Sequence, residues 1–317
     1  MQAGSAGGAA FLTRRRRLVL RAGASAARAA RLPARAWSGG GMTAPPPLAG
    51  VVGWPVGHSK SPVIHGHWLK RHGLAGWYVA MAVAPQDAER ALRALPALGF
   101  RGANVTLPHK ETALAVADAA SARARRIGAA NTLVVRDGGL EADNTDGFGF
   151  LENMRQEAPR WRADAGPALV LGAGGAARAV VHALAEAGTP EIRIVNRTRA
   201  RAEALAEIVG GVALVHDWSE AEDAVEGCAT LVNTTSLGMA GQPPLELRLD
   251  AAAKAAVATD IVYTPLVTPF LKTARDAGLA TVDGLGMLLH QARLGFERWF
   301  GVAPEVDEAL RRAVLDP

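Results

Sequence analysis

The sequence predicts an α/β fold of two domains with a cleft between them, the first built on a mixed sheet and the second on repeated βαβ units. Three observations carry this expectation. The chain has 317 residues, 49% of them hydrophobic, which exceeds what one compact core comfortably holds. From Leu48 to Val135 short β-rich apolar runs alternate with helical stretches, the pattern of strand and helix units. At Ala168 the alternation restarts around a glycine-rich turn, which opens a second unit.

In the first unit, Leu48 to Trp54 reads as a buried strand, and Ser61-Pro62 opens a helix with Ile64, Trp68 and Leu69 on one face. Trp77 to Val83 is then strand, Pro85 to Ala97 helix, Gly102 to Thr106 strand and Pro108 to Ala119 helix. Asn131 to Val135 and Leu140 to Ala142 follow as strands. The second unit runs through strand Ala168 to Leu171, helix Ala176 to Ala187, strand Ile192 to Val195 and helix Arg199 to Val209. Strands follow at Ala213 to Val215, Thr230 to Asn233 and Ala258 to Ile261. Gly284 to Phe300 and Pro304 to Val314 are helical and are expected to pack back on the first domain. The expected division is therefore residues 48–146 with 286–317, and residues 147–285.

Charge is distributed unevenly. The pI near 9.9 suggests a nucleic-acid partner, but residues 1–41 hold eight arginines and no acid. Without those eight the formal charge falls from +5 to −3, and no interleaving of basic and aromatic residues elsewhere restores a nucleic-acid surface. Residues 1–47 are expected to form a disordered basic extension. Their bias is similar to an organellar transit peptide, whereas the run Leu18-Val19-Leu20 is too short for a secretory signal. The favoured expectation is that Met42 is the true start, because a short leader and then a clean strand follow it. No apolar run approaches the ~20 residues of a membrane span. Cys228 has no second thiol to pair with and is expected to be a small buried hydrophobe. His65, His67 and His72 lack the carboxylate or thiol that would complete a zinc set, so no metal is expected.

Gly172-Ala173-Gly174-Gly175-Ala176-Ala177 lies between a strand and a helix, the context a dinucleotide-binding turn requires. Gly172 permits the tight turn, Gly174 lets backbone approach a pyrophosphate, and Ala177 keeps the helix close to the sheet. A Rossmann-like domain is therefore expected. After Val195, where an NAD enzyme places a carboxylate for the ribose hydroxyls, the chain reads Asn196-Arg197-Thr198-Arg199-Ala200-Arg201. A hydroxyl and guanidinium groups suit a 2′-phosphate, which favours NADP. The bland alternative is an ordinary helix start with Thr198 as its N-cap.

In the first domain, Ser59 and Ser61 place two hydroxyls at a helix entrance, where they can hold a carboxylate with the help of the positive helix end. Equally, Ser61 can be a plain N-cap. Lys110, after Gly102-Ala103-Asn104-Val105-Thr106-Leu107-Pro108-His109, falls in the first turn of a helix, where the macrodipole disfavours a cation. Broken local rules tend to mark function, and a lysine held between a helix end and a carboxylate can move a proton at neutral pH. Asp143-Asn144-Thr145-Asp146-Gly147 lies at the expected domain junction, the usual place for a cleft. Asn131 and Gln291 carry little weight alone.

Taken in order, GHSKSP, GANVTLPHK, AANTL, DNTDG, LGAGGAARA, NRT, NTTSLGM and DGLGMLLHQA closely resemble the shikimate dehydrogenase family from Leu48 to Leu315. The resemblance implies reversible NADPH-dependent reduction of 3-dehydroshikimate to shikimate, in aromatic amino acid biosynthesis in the cytoplasm. It implies that Lys110 and Asp146 are the catalytic pair, with Ser59 and Ser61 on the substrate carboxylate and Thr106, Asn131, Tyr263 and Gln291 lining the pocket. The implied cofactor positions are Gly172, Ala173, Gly174, Gly175, Ala176, Asn196, Arg197, Thr198, Arg201, Thr235, Ser236, Ile261 and Gly284. One departure from the family pattern is Ile261, where a methionine is common beside the nicotinamide, and another is Thr264-Pro265-Leu266 in the loop after Tyr263; apolar contact at Ile261 is kept. The partners implied are a small-molecule substrate, with no nucleic acid and no membrane, and a homodimer is compatible. Two rivals share this fold: a quinate/shikimate dehydrogenase, which often uses NAD, and a catalytically silent NADP-binding sensor, which would need no lysine and carboxylate pair.

Overall fold

The structure is a computed structural model and describes residues 45–316, so the expectations for the basic extension before residue 45 and its Met42 start lie outside the described residues. Two six-stranded sheets organise the chain. The first contains β1 (Leu48–Gly53), β2 (Trp77–Ala82), β3 (Phe100–Val105), β4 (Ala119–Ala120), β5 (Thr132–Arg136) and β6 (Gly139–Asp143), in the order β2-β1-β3-β5-β6-β4. β1 runs parallel to β2 and β3, whereas β5 is antiparallel to both β3 and β6, so the sheet is mixed. Its helices are α1 (Ser61–Arg71), α2 (Ala88–Ala94), α3 (Lys110–Val116), α4 (Ala122–Ile127) and α5 (Asp146–Glu157).

The second sheet contains β7 (Ala168–Leu171), β8 (Ile192–Val195), β9 (Ala213–His216), β10 (Thr230–Asn233), β11 (Val257–Asp260) and β12 (Ala280–Val282). All its pairs are parallel, in the order β12-β11-β10-β7-β8-β9. With α6 (Gly175–Glu186), α7 (Arg199–Val209) and α8 (Pro269–Asp276) around it, β7, β10 and β11 are buried at every position and β7 is an unbroken apolar run, as a sheet covered on both faces demands. α9 (Leu285–Phe300) and α10 (Glu308–Leu315) close the chain. α9 returns to the first sheet, where Trp299 Nε1 donates to the Leu133 carbonyl at 3.0 Å.

Most strands fall where the sequence places them, and the differences have local causes. The helix expected over Pro85 to Ala97 is a 3₁₀ turn at Pro85–Asp87 followed by α2. The one expected from Pro108 to Ala119 is only α3, because Ala117 turns to extended backbone before β4. α4 is set by two signals: the Ser121 hydroxyl accepts from Ala124 N–H at 3.1 Å, and Gly128 ends the helix in the left-handed region. α8 begins in the same way, with Thr268 accepting from Leu271 N–H at 3.3 Å and Pro269 in the first turn.

α5 forms despite Gly147 and Gly149, which weaken a helix, because both residues are needed for close approach. A Cβ on Gly147 would lie 2.9 Å from the Ala179 carbonyl oxygen of α6, and one on Gly149 would lie 2.6 Å from the Met287 carbonyl oxygen of α9. Just before α5, the buried carboxylate of Asp143 gathers three elements. Arg123 of α4 binds it in a fork at 2.7 and 2.6 Å, Ser121 donates at 2.6 Å, and Arg298 of α9 lies at 2.8 Å. Burial alone would raise the pKa of Asp143, but the bonds from Arg123 and Ser121 and the charges of Arg123 and Arg298 prevail and hold it below the usual carboxylate range.

Two outcomes follow. Gly149→Ala forces apart α5 and α9 against backbone, and urea denaturation should show a loss of roughly 1–3 kcal/mol. Asp143→Asn should cost roughly 1.5–3 kcal/mol at neutral pH, the range for hydrogen bonds to charged groups. Because the folded carboxyl titrates below its unfolded value, this stabilisation is complete above the ordinary carboxylate pKa and fades as pH falls below about 4. Denaturation at several pH values should therefore show the gap between parent and variant closing in acid.

Candidate active site

α3 and α5 begin with Lys110 and Asp146, and their N-terminal ends meet. Lys110 Nζ donates to Asp146 Oδ2 at 2.5 Å, and the two side chains are only 19% and 11% exposed. Asn131 Nδ2 donates to the other carboxylate oxygen, Asp146 Oδ1, at 2.7 Å. The same Nδ2 reaches Gln291 Oε1 of α9 at 3.2 Å, while Asn131 Oδ1 accepts from Thr145 N–H at 2.8 Å. Asn144 accepts the Asp146 N–H at 3.1 Å. On the lysine side, the ring of His109 donates to the Val83 carbonyl at 2.7 Å and fixes the turn before α3. Asn131 thus holds the carboxylate, and His109 holds the turn that carries the lysine.

A cavity of about 240 Å³ opens above it. Its lining brings together Ser59, Ser61, Thr106, Lys110, Asn131, Asp146, Tyr263 and Gln291, all the substrate and catalytic positions the sequence singles out, and adds Ile261 and Gly284. Asn104, His58, Met287 and Leu288 also line it; sequence reasoning assigns them no role. Ser61 is not the N-cap of α1. The cap position is Lys60, without a side-chain bond, and it is Ser59 whose hydroxyl accepts the Ser61 N–H at 3.2 Å. The Ser61 hydroxyl therefore caps nothing, and Pro62 stands second in the helix.

Tyr263 and Ile261 reach the cavity on the loop after β11. That loop is fixed by Asp260, which is fully buried and accepts from Val262 N–H at 2.9 Å, Thr268 Oγ1 at 2.7 Å and Asn233 Nδ2 at 3.0 Å. Burial raises the Asp260 pKa against these bonds, and burial also raises that of the Tyr263 phenol. Sequence reasoning missed Asp260, although an acid ending the apolar run Val257-Ala258-Thr259 is a visible signal. Gly284 follows β12 under tight contact, since a Cβ there would lie 2.5 Å from the Ile261 carbonyl.

The glycine turn lies between β7 and α6, where the strand order of the parallel sheet reverses: β8 lies on one side of β7 and β10 on the other. Ligands of open α/β sheets bind at such a switch point. Gly172 has φ +107 and its missing Cβ would meet Thr234 Oγ1 at 2.6 Å, so only glycine fits. At Gly174 and Gly175 a Cβ would meet nothing within 4 Å, which leaves the helix N-terminus open to a phosphate. Ala173 and Ala176 complete this turn, and Thr235 and Ser236 follow β10 on its other side. Asn233 Oδ1 accepts from Thr235 N–H at 3.0 Å, shaping that loop.

Beyond β8, Asn196 Nδ2 donates to the Thr198 carbonyl at 2.8 Å, and the Thr198 side chain makes no cap bond. Arg199 is tied to Glu203 at 2.9 Å and Asp217 at 3.0 Å. Arg197 and Arg201 are exposed and have no carboxylate partner among the described residues. The residues at the end of β8 therefore fit a phosphate-bearing ribose better than a bare one. Among the described residues no cluster could hold a metal ion, and no helix is long and apolar enough to cross a membrane. Cys228 is buried, and burial pushes its thiol up to about 11.

Three family models match the chain: a shikimate dehydrogenase substrate-binding domain over residues 51–133, shikimate/quinate 5-dehydrogenase over 156–286, and a shikimate 5′-dehydrogenase C-terminal domain over 284–315. A shikimate dehydrogenase (NADP(+)) from Rhodospirillum rubrum is 64% identical over 273 residues, covering 84% of this chain and 96% of that protein. Shikimate 5-dehydrogenase from Thermus thermophilus, solved with NADP(H) and shikimate, is similar at 41% identity with a TM-score of 0.75 over 84% of this chain and 99% of that one. Quinate dehydrogenase from Corynebacterium glutamicum, solved with NAD, has a TM-score of 0.80 at 30% identity over 86% of this chain and all of that one. With these family models and relatives, the chain belongs to the shikimate dehydrogenase family.

Proposed function

We propose that this protein catalyses the reversible reduction of 3-dehydroshikimate to shikimate with NADPH, a step of aromatic amino acid biosynthesis, and that it works in the cytoplasm. The observation that carries the proposal is the Lys110 and Asp146 pair, at 2.5 Å, in a cavity that also takes in Ser59, Ser61, Ile261 and Gly284. Residues 48–146 and 286–317 bind and position the substrate in this reading, and residues 147–285 hold the cofactor. A homodimer is compatible with it.

The chemistry follows from the placement of the side chains. NADPH, when bound, supplies the hydride that converts the C3 carbonyl of the substrate to an alkoxide. Lys110 as an ammonium gives its proton to that oxygen, and in the oxidative direction its amine takes the hydroxyl proton back. Asp146 orients Lys110 and balances its charge, with Asn131 fixing the carboxylate. Ser59 and Ser61 donate to the substrate carboxylate at the start of α1, whose positive end favours an anion. Thr106, Asn131, Tyr263 and Gln291 surround the ring. Gly172 to Ala176 take the pyrophosphate, Asn196, Arg197, Thr198 and Arg201 the 2′-phosphate end, and Thr235, Ser236, Ile261 and Gly284 the remainder of the cofactor.

The likeness to a quinate dehydrogenase solved with NAD makes a crossed assay the deciding experiment. Shikimate or quinate is oxidised with NADP⁺ or NAD⁺ under mildly alkaline conditions, and the shikimate and NADP⁺ combination should give the highest kcat/KM. Preference for quinate with NAD⁺ would overturn the proposal, and NADP⁺ binding without turnover of either substrate would leave a silent sensor. Lys110→Ala should lower kcat by about 10²- to 10⁴-fold while shikimate and NADP⁺ still bind in titration. Arg197→Ala should raise the KM for NADP⁺ about tenfold and leave the KM for shikimate unchanged.

A further inference from the structure

Behind the cavity, the Tyr78 hydroxyl on β2 donates to Asn104 Oδ1 at 2.6 Å. Asn104 lines the cavity and Tyr78 does not. The other end of the amide is loosely held, with Nδ2 3.3 Å from the Asn131 carbonyl and 3.4 Å from Thr132 Oγ1. The phenol is therefore the one short bond that decides which way this 5% exposed amide faces. Without it the two ends of an asparagine differ little in shape, and a buried oxygen loses its partner.

Tyr78 is itself locked. Its ring stacks on His65 at 3.9 Å with the planes 6° apart, and Trp299 lies 6.0 Å away. His65 is fully buried and neither ring nitrogen has a hydrogen-bond partner. Burial lowers its pKa to about 3. The imidazole is thus a neutral plate at working pH, and its contribution here is contact area for the phenol.

We propose that Tyr78 is a positioning residue for the substrate: its hydroxyl fixes the Asn104 amide in the cavity wall. The inference rests on the assignment of this cavity to shikimate. Because Tyr78 does not line the cavity and Asn104 does, its effect passes through Asn104 and falls on substrate affinity rather than on hydride transfer.

The test compares Tyr78→Phe, Asn104→Ala and the double variant with the parent in steady-state shikimate oxidation. Tyr78→Phe should raise the KM for shikimate about tenfold, the effect of losing one hydrogen bond to a buried group, with kcat and the KM for NADP⁺ preserved. The double variant should be no worse than Asn104→Ala alone, because both changes act through one amide. A purely structural defect reduces the amount of folded enzyme, which lowers apparent kcat and leaves both KM values in place. That result, an unchanged KM for shikimate in active Tyr78→Phe, or independent effects in the double variant would each overturn the proposal. A parent enzyme inert toward shikimate would instead overturn the assignment of the cavity, before any variant is compared.

Discussion

Everything at the cleft depends on keeping one ammonium and one carboxylate together out of water. Lys110 and Asp146 are both largely shielded, and moving such charges from water costs several kcal/mol each unless they pair well and their remaining bonding positions are filled. The structure meets both conditions: one carboxylate oxygen takes the lysine and the other takes Asn131. The helix ends act unequally on the pair. Asp146 at the start of α5 is favoured by the macrodipole, and Lys110 at the start of α3 is not. The lysine is therefore held by its partner rather than by its helix.

That dependence explains why so many other side chains serve the residues around Asp146. Asn144, Thr145 and Asn131 form one hydrogen-bonded turn, and Asp143 ties its start to α4 and α9 through two arginines and a serine. α9 also delivers Gln291 to Asn131. A helix late in the chain thus fixes the position of a turn far earlier in it. The close approach of α5 to α9, which only glycine permits at Gly149, belongs to the same arrangement.

The sequence revealed this site unequally. Lys110 stands out from a physical rule alone, since a cation in a first turn contradicts the dipole, and the glycine turn stands out because a strand precedes it and a helix follows. Asn131 and Gln291 are silent by local reasoning, because their partners are 15 and 160 positions from Asn131; only the resemblance of the ordered motifs selected them. Strands Ala168–Leu171, Ile192–Val195 and Thr230–Asn233 are legible as apolar runs between turns. α5 is not, because Gly147 and Gly149 depress its propensity and their reason lies in α6 and α9. Tyr78 and Asp260 escape for the same cause: a tyrosine in a strand and an acid at a strand's end acquire meaning only from groups that other segments bring to them.

The candidate residues leave each sheet at one end of its strands. Ser59 and Ser61 follow β1, Thr106 and Lys110 follow β3, and Asp146 follows β6; Asn131 precedes the antiparallel β5 and so emerges on the same side. In the parallel sheet the glycine turn follows β7, Thr235 follows β10, Ile261 and Tyr263 follow β11, and Gly284 follows β12. Loops at the carboxyl ends of parallel strands are free of the sheet's own hydrogen bonding, which lets them present polar groups to a ligand. At the end of β8 that loop offers Arg197, Thr198 and Arg201 and no acid, while Arg199 is already neutralised by Glu203 and Asp217. In the proposed reading, an NAD ribose would find no carboxylate there and a 2′-phosphate would find Arg197 and Arg201, which have no carboxylate partner among the described residues, so charge at one loop would decide the cofactor while the fold stays constant.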